Sequence, residues 1–306
     1  MNEPVGPSPA PAPRAPARDG SVLSKFLAGA FLPSWAVAGT FFVLSRATGR
    51  EPPLLAVAVV FMVFPAASAI GVQKLVLREP VWEPLAIALR PSRWFLAAWL
   101  LPLAMVGVTL ALGTLVPGQS LSLDMSAFWE RLAATTTPAK LAQLKHDAAA
   151  LPVHPAVLSL GQGMLTGLTI NAVVALGGEL GWRGFLHKEL TGPGRPLRVA
   201  LVTGVLWGAW HAPLVLLGHN YPEHRVAGVF AQVVFCVLAS PILTWLRTRS
   251  GSVVPPAIFL GTINATAFLP VMLTRGGTDL TLGPLALPGL LTLLALDVAL
   301  VATKRV

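Results

Sequence analysis

An all-α, polytopic membrane bundle of about eight transmembrane helices is the fold class that this sequence predicts, on three observations. The 306 residues are 54% hydrophobic and only 11% charged, with a mean hydropathy of +0.70. Soluble domains carry about 25% charged residues, so the apolar excess here needs lipid as its solvent. Eight apolar runs reach or approach the roughly 20 residues that a bilayer crossing requires. Basic residues, finally, alternate in density from one connection to the next, which is the pattern that orients a membrane protein.

The runs lie at about 27–45, 53–72, 94–115, 156–177, 197–217, 226–246, 253–273 and 280–302. Several contain Pro or Gly, which membrane helices tolerate where neighbours re-satisfy the backbone. Ahead of them, residues 1–22 form a Pro/Ala-rich tail whose composition predicts an unpacked segment, followed by a transmembrane domain over 23–306. No short apolar core with a cleavage site marks a signal peptide. The stretch at 73–93, with Trp82 and several charges, reads as an interfacial segment on the N-terminal side of the membrane. Two short helical stretches in the connection at 116–155 are expected at the opposite surface.

Of the 22 Lys and Arg, fourteen fall in connections on the side of the N-terminus and seven on the other, with Arg183 at a span end. That excess predicts an integral cell-membrane protein with both termini cytoplasmic. A net charge of +9 spread over short loops forms no basic stripe, which argues against nucleic acid as a partner. The single cysteine, Cys236, lies inside an apolar run and supports neither a disulfide framework nor a thiolate metal site.

Ionisable residues inside spans cost roughly 2.5–3.5 kcal/mol each on insertion scales, so each is a functional candidate. Glu179 and Arg183 are four residues apart in Gly177-Gly178-Glu179-Leu180-Gly181-Trp182-Arg183-Gly184-Phe185-Leu186. On a helix they share a face, the Glu on the N-terminal side, which suits an ion pair that either serves chemistry or tethers a helix end. Trp207 and His211, also four apart, allow the indole to flank the imidazole; a lone His here also suits a bond to a neighbouring carbonyl. Asn264 suits helix-to-helix hydrogen bonding as well as catalysis. Asp297 has no identifiable partner and remains unassigned.

Taken together, Glu179-x-x-Trp182-Arg183-Gly184-Phe185-Leu186, Trp207-x-x-x-His211-Ala212-Pro213 and Gly251-Ser252-x-x-Pro255 followed by Asn264 resemble the three motifs of the CPBP intramembrane proteases. That family comprises the CAAX prenyl endopeptidases, the bacteriocin-processing proteins and their relatives. The resemblance covers about residues 155–270. It implies a helical bundle whose site opens toward the cytoplasm, with glutamate and histidines polarising a water that attacks a peptide carbonyl. Substrates implied are membrane-associated peptides or proteins, prenylated or carrying a leader, and the resemblance leaves a divalent metal such as zinc open as cofactor. By it, Glu179, Arg183, His211 and Asn264 are the site residues.

The sequence departs from the family pattern at two positions. Arg183 sets the register so that the first of the two adjacent glutamates is Gly178, and Asn264 sets the third-motif histidine at Leu260. Neither glycine nor leucine activates water. His187 shares a face with Glu179 but lies about two turns away, and His219, Glu223 and His224 are expected in the loop at the opposite surface, so none is a ready replacement. Two readings follow: a divergent working protease, with Glu179 as base, His211 as water or metal partner, Asn264 as oxyanion donor and Arg183 orienting Glu179; or a pseudoprotease that binds or scaffolds in the membrane. A transporter has little support, because no inverted repeat is visible.

Overall fold

A computed structural model describes residues 20–50, 53–192, 196–303 and 305; most of the Pro/Ala-rich tail lies outside these. Thirteen helices and two π segments hold most of the described residues. The long ones are α1 (Gly20–Thr48), α2 (Leu54–Gly71, continued by a π turn Val72–Val76), α3 (Arg93–Gly113), α9 (Pro196–Leu216) and α10 (Arg225–Ser250). Between α3 and α9 come α4 (Ser126–Ala133), α5 (Pro138–Ala149), α6 (Pro155–Leu168), α7 (Ile170–Glu179), a π segment (Leu180–Leu186) and α8 (His187–Leu190). The chain closes with α11 (Val254–Thr266), α12 (Leu269–Leu273) and α13 (Leu287–Ala302). A two-residue antiparallel pairing, β1 (Ser120–Leu121) with β2 (Thr274–Arg275), is the sheet among the described residues.

The eight apolar runs coincide with helices, the last of them only over Leu287–Ala302. Six helices are long and apolar enough to cross a membrane, the bent pair Pro155–Leu168 with Ile170–Leu190 counts as a seventh if it is one span, and α13 is a shorter apolar helix. The last run becomes α13, 16 residues long, because residues 280–286 are spent on turns and a loop that precede it. The fourth run also ends later than its hydropathy suggests. Gly177, Gly178 and Glu179 do not terminate the helix; it continues through the π segment to Leu190, so Glu179 and Arg183 sit within a continuous helical rod. Thr169, at φ −115° and ψ −95°, breaks the rod instead, with a bend of 44°.

Close backbone contact at small residues holds the bundle together, as membrane helices require when lipid is as apolar as their side chains. A Cβ at Gly204 or Gly208 of α9 meets the Cα of Val237 or Val233 of α10 at 2.7 Å. Gly177 and Gly181 bring α7 and the π segment against Met62 and Pro65 of α2, where a Cβ meets atoms at 2.7 and 2.6 Å. The bend after α6 receives Gly261 of α11, whose Cβ position lies 2.6 Å from both Gly167 O and Ala172 N. Large apolar residues such as Leu55, Val173 and Phe230 stay exposed on the outer faces, where lipid covers them.

The 73–93 segment folds under one end of the bundle, where Ser252 Oγ donates to Ala88 O and Lys188 Nζ bonds Gln73 Oε1 and Glu79 Oε2 at 3.0 and 3.1 Å. At the other end, α4 and α5 occupy the long connection, with Arg131 donating to the carbonyls of Val271 and Gly276.

Candidate active site

Glu179 and Arg183 are fully buried, and Arg183 Nη1 lies 2.8 Å from Glu179 Oε1. The second guanidinium nitrogen, Nη2, donates to Ser240 Oγ of α10 at 2.7 Å, and the guanidinium carbon stands 4.5 Å over the Trp207 ring. Three independent contacts thus fix the arginine, and the arginine fixes one carboxylate oxygen. The other, Glu179 Oε2, has no hydrogen-bond partner among the described residues. The π segment that carries Arg183 is of a kind frequent at functional sites, since its widened turn re-aims side chains.

On α9, His211 is 4% exposed and its Nδ1 lies 2.9 Å from the carbonyl of Trp207. A carbonyl only accepts, so Nδ1 carries the hydrogen and Nε2 of the neutral ring presents a lone pair. Trp207 and Trp210 flank the imidazole edge-on, with centroids at 5.6 and 4.7 Å. Trp210 is in turn pinned to α1, its Nε1 donating to Ser34 Oγ at 2.9 Å.

Glu179, His211 and Asn264, from α7, α9 and α11, line one small cavity of about 60 Å³. Met62, Ala175, Gly178, Trp207, His219, Asn220, Gln232, Phe235, Leu260 and Leu285 complete it. One water needs roughly 10–15 Å³ of such space, so the cavity admits a few waters and no peptide segment. Arg183 does not line it and acts on it through Glu179. Asn264 is exposed and makes no side-chain hydrogen bond among the described residues, so its amide is free. Gly178 and Leu260 line the same cavity, at the positions where the family pattern has glutamate and histidine.

His219 corrects the sequence expectation. It sits in the connection after α9, as expected, yet that connection folds back so that His219 and Asn220 close one end of the cavity. Hydropathy alone does not reveal this; the signal is Gly218, whose φ of +107° turns the chain inward. Glu223 and His224 behave as expected and remain outside, bonded to Asp279. His187 does not reach the cavity. Asp297 Oδ1 has no partner among the described residues, and no role attaches to it.

The cavity residues do not form a preassembled metal site. Among the described residues, the grouping of three ligand atoms within 4.8 Å is Glu223, His224 and Asp279, outside the cavity. Asp279 there already accepts from two backbone amides and faces His224 Nδ1 at 2.6 Å. Glu179, His211 and His219 lie around the cavity without converging to that distance.

Residues 160–266 match the family model of the Rce1-like type II CAAX prenyl endopeptidases. The CPBP resemblance holds. The matched CPBP segment runs from α6 to α11 and contains every cavity residue except Met62 and Leu285. It supports an intramembrane, CAAX-protease-like function, and with the apolar helices it makes the chain an integral, multi-pass membrane protein. No curated protein matches the chain.

Proposed function

We propose that this chain is an intramembrane endopeptidase that hydrolyses a peptide bond of a membrane-associated substrate, of the prenylated or leader-peptide kind, with Glu179 as the base. The observation that carries this is the convergence of Glu179, His211 and Asn264, from three separate helices, on one water-sized cavity. Glu179 Oε2 is free to accept a proton from a water, while Arg183 holds Oε1. The lone pair of His211 Nε2 orients the second hydrogen of that water. As the water oxygen bonds the carbonyl carbon, its proton passes to Glu179 and negative charge develops on the carbonyl oxygen, which the Asn264 amide receives. Collapse of the adduct breaks the C–N bond, and the leaving nitrogen takes the proton from Glu179. A cavity of this size admits a peptide only after it widens.

Orientation belongs to the same proposal. The basic excess supports cytoplasmic termini. His219, Asn220 and Leu285 then lie toward the outer face, whereas a site open to the cytoplasm requires the reverse orientation; the two expectations exclude each other, and we follow the charge balance.

Gly178 and Leu260 at the cavity wall favour a second reading, a pseudoprotease that retains the bundle and binds without cleaving. Cleavage of a reporter peptide by purified protein in lipid separates the two. Turnover lost on His211→Ala supports the protease; an inert wild type supports the pseudoprotease.

A further inference from the structure

We propose that His219 is an oxyanion-binding residue of this cavity, a second imidazole that shares with Asn264 the negative charge formed on the carbonyl oxygen. This rests on the hydrolytic reading above and adds a residue to it that lies outside its motifs. His219 is a wall of the same cavity as Glu179 and His211. Its ring makes no hydrogen bond to protein among the described residues, and burial holds its pKa down to about 4, so the neutral ring with one N–H is the resting form. A half-buried imidazole with no protein partner needs water or a ligand to satisfy its donor.

The backbone presents this ring on a braced turn. His219 N donates to Leu214 O at 3.2 Å, and His219 O accepts from Tyr221 N at 2.8 Å. Tyr221 is fastened by its hydroxyl, which donates to Leu285 O at 2.8 Å. On the next position, Asn220 takes φ +64° and bonds Gln232 of α10 at 2.9 Å. Such bracing at both flanks preorganises a donor, which is what stabilises a developing oxyanion. In the reaction the N–H of His219 stays on its nitrogen; the proton of water goes to Glu179 and then to the leaving amine. His219 therefore acts on the charge and transfers no proton.

The test is steady-state cleavage of a reporter peptide in lipid nanodiscs by wild type, His219→Leu, His219→Gln and Glu179→Gln, with thermal unfolding of each. Loss of one oxyanion donor lowers kcat by roughly 10²–10³. His219→Leu is expected to lose about that factor in kcat with KM little changed, and His219→Gln, which keeps an N–H donor, to recover part of it. Where His219→Leu unfolds, His219→Ala, which also lacks a donor, takes its place in the comparison. Unchanged kcat in a folded His219→Leu variant overturns this assignment while leaving the protease reading intact. A wild type with no turnover overturns both, and equal losses in the Leu and Gln variants mark a packing role and overturn the assignment alone.

Discussion

Arg183 Nη1 donates to Glu179 Oε1 across 2.8 Å one helical turn away, with both side chains about 1% exposed. Removing one partner of such a pair leaves an uncompensated buried charge and costs about 3–5 kcal/mol, whereas removing both costs much less. Arg183→Met is therefore expected to destabilise the protein in detergent more than the double variant Glu179→Gln with Arg183→Met. A denaturation series measures it; additive losses mean that the pair is not coupled.

Gly178 leaves room for a Cβ at the position of the missing glutamate. A Cβ there meets Trp182 Cδ1 at 3.7 Å and Met62 Sδ at 3.8 Å, ordinary contact distances. Trp182 Nε1, a buried donor without a partner among the described residues, lies 3.8 Å from that Cβ and is ready to bond a new carboxylate. Gly178→Glu is predicted to fold with a lowered melting temperature, because it buries a second carboxylate beside Glu179, and Gly178→Glu with Leu260→His to raise peptide cleavage at least tenfold over wild type. No gain in activity from the folded double variant contradicts the register assigned to the motifs.

Gly181 sets the contrast. Its Cβ position lies 2.6 Å from Pro65 Cβ and 3.0 Å from Pro65 backbone atoms. Neither neighbour is the end of a flexible chain, so Gly181→Ala is expected to cost about 1–3 kcal/mol by overpacking. Thermal unfolding in lipid checks this, and a wild-type melting temperature contradicts the packing of α2 against the π segment.

The orientation is measurable because Cys236 is fully buried and does not compete for a labelling reagent. Single cysteines at exposed Glu223 and Arg249 mark the two ends of α10. Cytoplasmic termini predict that a membrane-impermeant maleimide labels Glu223→Cys in intact cells and Arg249→Cys only after permeabilisation. The inverse pattern reverses the membrane orientation and opens the cavity to the cytoplasm.

Much of this architecture is legible in the sequence, because lipid imposes one requirement on every span and the apolar runs display it. The i, i+4 relationships of Glu179 with Arg183 and Trp207 with His211 are also readable, since helical spacing alone places each pair together. What the sequence hides depends on tertiary contact. The helix through Gly177 and Gly178 continues because α2 packs against it, although two adjacent glycines read locally as an end. Ser240, the second anchor of Arg183, is one serine among many until α10 is laid beside the π segment. His219 escapes notice for the same reason, because a turn at Gly218 and not a motif carries it to the cavity.

The central claim, that the cavity between α7, α9 and α11 hydrolyses peptides with Glu179 as base, is tested most directly by one measurement. Purified wild type and Glu179→Gln are compared for cleavage of a reporter peptide in lipid. A positioned general base contributes about 10²–10⁴ in rate, so turnover by wild type and a loss of that size in a folded Glu179→Gln protein are expected. Equal turnover by both proteins, or none by wild type, contradicts it.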